Sequence, residues 1–520
     1  MTAKRSIYIT TPIYYVNDTP HIGHAYTTLA CDALARFHRL DGHDVLFLTG
    51  TDEHGQKVEK SAAKAGLAPL AFCDKVSANF RELTRAMKFS NDDFIRTTEE
   101  RHVRSVSALW NKLVERGAIY LGSYAGWYAV RDEAFYAEDE TTVNEAGQRV
   151  GPTGAPVEWV EEPSYFFKLS AFQDRLLELY AKHPEFVRPE TRYNEVVSFV
   201  KSGLRDLSVS RTSFTWGIPV PGDPKHIMYV WLDALTNYVS ALGYPDTQNE
   251  RFRKFWPATV QLMGKDILRF HAVYWPAFLM AADIEVPRQI FAHGWWTREG
   301  QKISKSLGNV IDPFELVTKY GLDAVRYFLL REVPLGQDGD FSHQAMVLRM
   351  NADLANAFGN LAQRTLSLIQ KNAGAVVPTP GALNADDEAL LASARGLLGA
   401  MRTSIDACAP HAALTQFMAV VYDANKYVDV QAPWALAKTD PPRGLTVLYV
   451  LAEVVRHLAI LAQPFMPDAG AKMLDQLAIA SDARDFTRLA PEHAMRPGIA
   501  LNKPEGVFPR YVDPATPPRK

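Results

Sequence analysis

The sequence predicts an α/β protein: a doubly wound parallel sheet, interrupted by an inserted mixed β/α segment and followed by an α-helical bundle. Three observations carry this. An apolar strand, Ile7-Tyr8-Ile9, is broken by Pro12, Asn17-Asp18 and Pro20, then gives way after Gly23 to a helix with Ala25, Leu29, Ala33 and Phe37 at helical spacing. Between residues 118 and 225, Gly and Pro punctuate short aromatic strands such as Gly126-Trp127-Tyr128-Ala129-Val130. From about 346 to 480, Ala and Leu recur at helical spacing, with Pro378-Thr379-Pro380-Gly381 and Pro441-Pro442 marking turns.

Bulk properties set outer limits. The 520 residues suffice for about two to four domains. No run approaches the roughly 20 uninterrupted apolar residues of a membrane span, and Met1-Thr2-Ala3-Lys4-Arg5 leads straight into the first strand, leaving no room for a signal peptide. Only Cys31, Cys73 and Cys408 are present, so a disulfide framework is not expected and a reducing, cytoplasmic setting is. The net charge of −3 means that any nucleic-acid binding must rest on local positive potential.

Taken in order, residues 1–117 read as the first half of the doubly wound domain. His21 and His24, with Gly23 between them, sit where a strand-loop unit enters a helix. Imidazoles at a helix N-terminus can donate to phosphate oxygens without a metal, or can simply cap the helix. A second strand over 44–49 ends in Gly50-Thr51-Asp52-Glu53-His54-Gly55 and a helix over 56–65. Thr51 or Asp52 suits its N-cap, and Asp52 at a carboxyl strand end also suits a substrate ammonium. Asp93-Phe94-Ile95-Arg96 reads as another strand, followed by a helix through Trp110 and Leu113. The 118–225 insertion, helical from about Ser170, contains no cysteine, so no structural zinc is expected there.

The sheet is expected to resume near Ile227. Trp231, Leu235 and Tyr238 fall at i, i+4 and i+7 of one helical face. Val260-Gln261-Leu262-Met263 is a strand closed by Gly264-Lys265-Asp266, and Ile267, His271 and Trp275 make a second bulky stripe. Ordinary core explains either stripe alone. An imidazole amid aromatics suits better the lining of a pocket for an apolar side chain. After the strand Gln289-Ile290-Phe291-Ala292-His293-Gly294 comes Gln301-Lys302-Ile303-Ser304-Lys305-Ser306-Leu307-Gly308-Asn309, whose lysines can hold a triphosphate by point charge and release it. Asp312-Pro313 opens a helix that ends at Tyr320-Gly321, and Asp323 starts the next. The Pro-rich tail, 497–520, has no helical period, and Gly506-Val507-Phe508-Pro509 is expected to pack back on the body.

His21-Ile22-Gly23-His24 together with Lys302-Ile303-Ser304-Lys305-Ser306 resembles the signature of class I aminoacyl-tRNA synthetases. Ile13-Tyr14-Tyr15-Val16-Asn17, Asp52-Glu53-His54-Gly55, Tyr229-Val230-Trp231-Leu232-Asp233-Ala234 and Gly264-Lys265-Asp266-Ile267 narrow the resemblance to the methionyl-tRNA synthetase family, over essentially the whole chain. The resemblance implies a Rossmann-like catalytic domain in two halves (1–117 and 226–300), a connective insertion (118–225), a lysine loop with a helical connector (301–345), and an anticodon-binding bundle with its tail (346–520). It implies activation of L-methionine by ATP, with Mg²⁺, to methionyl-adenylate and pyrophosphate. Methionine then passes to the 3′ end of tRNA(Met), for initiation and elongation.

The implied site residues follow position by position. His21, His24, Lys302 and Lys305 are catalytic. His21, Gly23, His24, Gly264, Asp266 and Lys305 bind ATP. Ile13, Tyr15 and Asp52 meet the methionine backbone end, and Tyr15, Trp231, Ala234, Leu235, Tyr238, Ile267, His271 and Trp275 surround its side chain. Leu235 stands where some members have proline. Asn360, Arg364 and Trp434 read the anticodon. A leucine, valine or isoleucine sibling would carry a larger inserted editing domain, and a cysteinyl enzyme would need zinc ligands. A small nucleotidylyltransferase would not explain the bundle, and a non-catalytic tRNA-binding relic would not explain intact histidines and lysines. The chain ends soon after the bundle without an appended domain, so a monomer is expected, without membrane association.

Overall fold

The computed structural model describes residues 4–513 except 18, 133 and 304–307. Its centre is a seven-stranded, all-parallel sheet. Its strands are β1 (Ser6–Thr10), β2 (Tyr14–Tyr15), β3 (Asp44–Asp52), β4 (Asp93–Arg96), β5 (Val187–Arg188), β6 (Val260–Gly264) and β7 (Ile290–His293). β1 lies between β6 and β3, with β7 and then β5 beyond β6. Leu48 pairs with Thr10 and Asp93, and Thr51 with Tyr14 and Arg96, so β2 resumes the line of β1 while β4 covers the other edge of β3.

Both faces of this sheet are buried, as an all-parallel sheet requires. Successive residues point to opposite faces. Ile7, Ile9 and Phe47 enter one core, with helix α1 (Ile22–Leu40); Tyr8, Leu46 and Leu48 enter the other. The strand order reverses between β1 and β6. In such sheets, ligands bind in the crevice beyond the carboxyl ends at that point.

Several expectations need correction. β5 lies inside the stretch read as an insertion, yet it pairs with β7 as an edge strand of the main sheet. The sheet does not resume near Ile227: the strand Asp223–Met228 belongs to a separate antiparallel sheet with Ser210–Arg211 and Pro219–Val220, and the main sheet resumes at β6. The 118–225 stretch is built on the long antiparallel pair Ile119–Ala129 and Glu158–Phe167. The helix Pro69–Ala86 was not foreseen. The helix after β3, Gln56–Lys64, is preceded by Gly55 with no side-chain cap, so neither Thr51 nor Asp52 caps it; both belong to β3.

C-terminal to the sheet, Pro313–Tyr320 starts as expected, with the Asp312 carboxylate accepting from Phe314 N–H. Leu322–Arg331 follows, then the bundle helices Asn360–Asn372, Ala385–Asp406, Pro410–Gln431, Pro441–Ala462 and Pro467–Gln476. Pro441-Pro442 is a helix start rather than a bare turn, with Asp440 as its cap. By length and composition, Pro441–Ala462 is apolar enough to cross a bilayer, and its central position in the bundle accounts for that: its most apolar window is 89% buried. One apolar core runs without a break from α1 through Leu322–Arg331 into this bundle. In the tail, Phe508 lies against Phe358.

Candidate active site

The N-terminus of α1 opens into the crevice between β1 and β6. Gly23 N–H donates to His21 Nδ1 (3.1 Å), and His21 N–H donates to His24 Nδ1 (3.1 Å). The two histidines therefore cap the helix reciprocally. A side chain on residue 23 would meet the His21 ring at 2.9 Å, which is why glycine stands there. Burial lowers the pKa of His21, against the opposing charge of Asp266, and lowers that of His24 further, with His21 adding to the effect. Both rings are thus neutral. With each Nδ1 accepting, the ring proton sits on Nε2, so two N–H donors remain at a positive helix end.

Around them, Gly264 ends β6 and Asp266 lies in the turn that follows. Trp295 Nε1–H donates to Asp266 Oδ1 (3.2 Å). His293, at the end of β7, approaches Thr27 of α1 (2.7 Å from Nε2 to Oγ1) and Gly294 O (2.7 Å from Nδ1), tying the helix to the strand before the lysine loop. Lys302 is exposed in the hairpin of Trp296–Arg298 with Gln301–Lys302, and its Nζ stands 5.6 Å from the Trp295 ring centre. Lys305 lies outside the described residues, as do Ser304, Ser306 and Leu307.

At the carboxyl end of β3, Asp52 is buried and pairs in register with Tyr15, over whose ring Lys57 Nζ stands at 5.3 Å. The expected apolar wall is assembled from unlike pieces. The helical face carrying Trp231, Leu235 and Tyr238 is broken at Thr236 into Val230–Leu235 and Asn237–Ser240. Ile267, His271 and Trp275 do not share one regular helix: a 3₁₀ turn (Lys265–Ile267) leads to a π turn (Phe270–Tyr274) and then to α-helix from Trp275. π turns of this kind widen a helix and are frequent at functional sites.

Trp231 stacks on Phe270 with centroids 3.5 Å apart. Ala234, Leu235, Tyr238, His271 and Trp275 are buried, whereas Ile13, Tyr15, Trp231 and Ile267 are half-buried. His271 Nδ1–H donates to Ile267 O (3.0 Å), and its Nε2 faces Tyr238 Oη at 2.7 Å. Burial holds its pKa down at about 4, so the ring is neutral and accepts the tyrosine proton.

Sequence reasoning singled out Asp52 within 52–55 but missed its neighbours. Glu53, fully buried, takes a bidentate pair from Arg96 (2.7 and 2.9 Å), and His54 meets Asp233. Their companions lie far apart in the chain, and only charged residues on an apolar stretch could have pointed to them. The cysteines lie apart in role: Cys31 donates to Thr10 O, Cys73 to Glu53 O and Cys408 to Gln289. Among the described residues, no group of three or more His, Cys, Asp or Glu side chains is arranged to hold a metal ion.

A separate surface lies in the bundle. Ala432, in the left-handed region (φ 45°), turns the chain from Pro410–Gln431 into Pro433–Thr439 and leaves Trp434 exposed. The Arg364 guanidinium lies 5.3 Å from the Trp434 ring and pairs with Asp429 (3.1 Å). Asn360 is one turn before Arg364 on Asn360–Asn372.

A family profile described as "tRNA synthetases class I (M)" matches residues 7–366, and one described as "Anticodon binding domain of methionyl tRNA ligase" matches 377–516. The chain belongs to the methionyl class I tRNA synthetases. Relatives in this family include the methionine–tRNA ligases of Mesorhizobium japonicum (58% identical, over 98% of this chain and 99% of that one) and Rickettsia bellii (56%, over 98% and 100%). Among solved structures, Mycobacterium tuberculosis methionyl-tRNA synthetase in complex with methionyl-adenylate has a TM-score of 0.95 at 53% identity, covering 97% of this chain and 100% of that one. The apo form of that synthetase has 0.90 at 50%, covering 98% and 99%.

Proposed function

We propose that the chain is an ATP-dependent methionine–tRNA ligase, which joins L-methionine to tRNA(Met) through a methionyl-adenylate. The observation that carries this reading is the pair of neutral, Nδ1-locked imidazoles at the switch point of the sheet, one strand away from a buried carboxylate. Asp52 holds the methionine ammonium, with Ile13 and Tyr15 beside it. Trp231, Ala234, Leu235, Tyr238, Ile267, His271 and Trp275 surround the thioether side chain, and His271 fixes the Tyr238 ring. The methionine carboxylate attacks the α-phosphorus of ATP in line, and pyrophosphate leaves.

No side chain needs to bond covalently. Catalysis is positioning and charge stabilisation. His21 and His24 donate Nε2–H to phosphate oxygens over the Gly23 backbone, and Gly264 and Asp266 face the ribose. Lys305, with Lys302, neutralises the leaving pyrophosphate, and a Mg²⁺ entering with ATP would share that charge. A terminal tRNA hydroxyl then attacks the methionyl carbonyl, the acyl–phosphate bond breaks and AMP leaves, while Asn360, Arg364 and Trp434 stack on and hydrogen-bond unpaired anticodon bases. The ligase acts in the cytoplasm as a monomer, which light scattering at the mass of one chain would support.

The decisive experiment is exchange of pyrophosphate into ATP with methionine, leucine, valine or no amino acid, wild type beside Lys305→Ala. Exchange with methionine alone, lowered roughly 10²–10³-fold in the variant, is expected. Exchange driven by another amino acid would void the side-chain pocket, and none at all would void the activity.

A further inference from the structure

The chemistry above makes no use of a buried histidine–aspartate–histidine array behind the site. Asp233 is fully buried; its Oδ2 lies 2.7 Å from His54 Nδ1 and its Oδ1 2.7 Å from His102 Nε2. Burial by itself would raise the Asp233 pKa, but the two imidazoles outweigh it and hold the carboxyl at about 2. The carboxylate is therefore ionised, and both imidazoles donate to it. His102 Nδ1 is buried and meets no partner among the described residues. A proton there would be an unpaired buried donor, so the arrangement favours the ring proton on Nε2, where it is donated to Asp233.

The array joins three segments. His54 is two residues beyond Asp52, His102 lies on the buried face of the helix Glu100–Glu115, and Asp233 lies between Trp231 and Ala234. Val230–Leu235 is a six-residue helix that breaks at Thr236, too short to hold its own shape or direction. Its orientation is set by side-chain ties. Trp231 lies on the pocket side, stacked on Phe270, and Asp233 makes the tie on the other side.

We propose that Asp233 is a positioning residue for amino-acid selection: through His54 and His102 it sets the separation between the Asp52 carboxylate and the wall formed by Trp231 and Ala234, and so the side-chain length the site accepts. This rests on the methionine reading of the site. A site that selects by length discriminates a methylene by about tenfold or somewhat more, so a wall free to shift loses about that much.

The test separates this role from a plain structural staple by amide mimics. An asparagine amide places an N–H near the position of histidine Nδ1, and a glutamine amide near that of Nε2. His54→Leu and His102→Leu are expected to raise the methionine KM in pyrophosphate exchange about tenfold, to leave the ATP KM within about twofold, and to lower discrimination against the shorter leucine and norvaline about tenfold. His54→Asn and His102→Gln are expected to restore all three. Asp233→Asn, which turns one acceptor oxygen into a donor, should behave like the leucine variants and decides the matter if those do not fold. Methionine and ATP KM rising together, or amide variants as impaired as the leucine ones, would overturn the proposal. Failure of the underlying reading would show separately, as wild-type exchange that ignores methionine.

Discussion

His21 and His24 each engage Nδ1 in the helix cap, which leaves the Nε2 proton outside the cap for the role proposed above. The functions are separable because asparagine, a preferred N-cap, can accept from Gly23 N–H but has nothing at the Nε2 position. His21→Asn should therefore leave the thermal midpoint within about 2 °C and slow methionine-dependent exchange about 10²-fold; a parallel loss of stability and rate would mean that the ring acts only as a cap. A second residue-scale expectation concerns pH. Burial depresses His38 and His271 from 6.5 to about 4. Between those values the unfolded chain binds protons that the native rings refuse, so stability is full above pH 6.5 and is lost as pH falls towards 4, by about 3 kcal/mol for each ring. Asp323, raised to about 6 by burial, opposes this over part of the window with a smaller shift. Thermal midpoints measured from pH 7 to 4.5 should fall; a flat profile would refute the assignment. The histidine pair was legible because its members are three residues apart. The array of His54, His102 and Asp233 was not, because only the folded chain brings residues so distant in sequence onto one carboxylate.

At the scale of elements, β3 shows what periodicity reads and what it misses. An apolar run over 44–49 announces a strand, and glycine at 50 reads as its end; the strand nevertheless continues to Asp52. Gly50 is there because β4 passes so close that an added Cβ would stand 2.0 Å from Ile95 O. Gly50→Ala must therefore part β3 from β4, beneath Asp52 and the bidentate Glu53–Arg96 pair. A loss of about 3 kcal/mol, towards the upper end for overpacking, is expected, seen as a lower urea midpoint together with weakened methionine binding. An unchanged midpoint would show that the strands can yield. The helix Pro69–Ala86 buries Cys73, Val76, Phe80 and Leu83 at helical spacing, so its signal was present and passed over. The break at Thr236 and the π turn over Phe270–Tyr274 had no such signal, since both keep an apolar pattern that a straight helix also satisfies. β5 has only two residues, and it is defined by its pairing with β7 rather than by any pattern of its own.

For the whole molecule, the order of the parts was legible and their docking was not. Arg326 reads as an arginine on an amphipathic helix, yet it is fully buried and is the point where three parts meet. Its guanidinium donates to Asp32 Oδ2 on α1 (2.7 Å), to Met87 O just past Pro69–Ala86 (3.1 Å), and to Pro464 O and Phe465 O beyond Pro441–Ala462 (3.0 and 2.9 Å). Asp32, which burial alone would raise, is held below the usual carboxylate range by Arg326 and then Arg36. Arg326→Met fills much of the volume but strands three carbonyl groups and takes away one of the two cations on a buried carboxylate, a change of about 3–5 kcal/mol. The tie also fixes where the bundle carrying Trp434 stands relative to α1 carrying His21 and His24, and under the proposed function a tRNA reaches both at once. Pyrophosphate exchange uses only the α1 end, whereas aminoacylation uses both. In Arg326→Met, charging of tRNA should accordingly fall further than exchange, with a higher KM for tRNA and little change in that for methionine. Equal loss of the two rates at a temperature where the variant remains folded would show that the joint serves stability alone, and that the core running from α1 into the bundle holds the two ends in register without it.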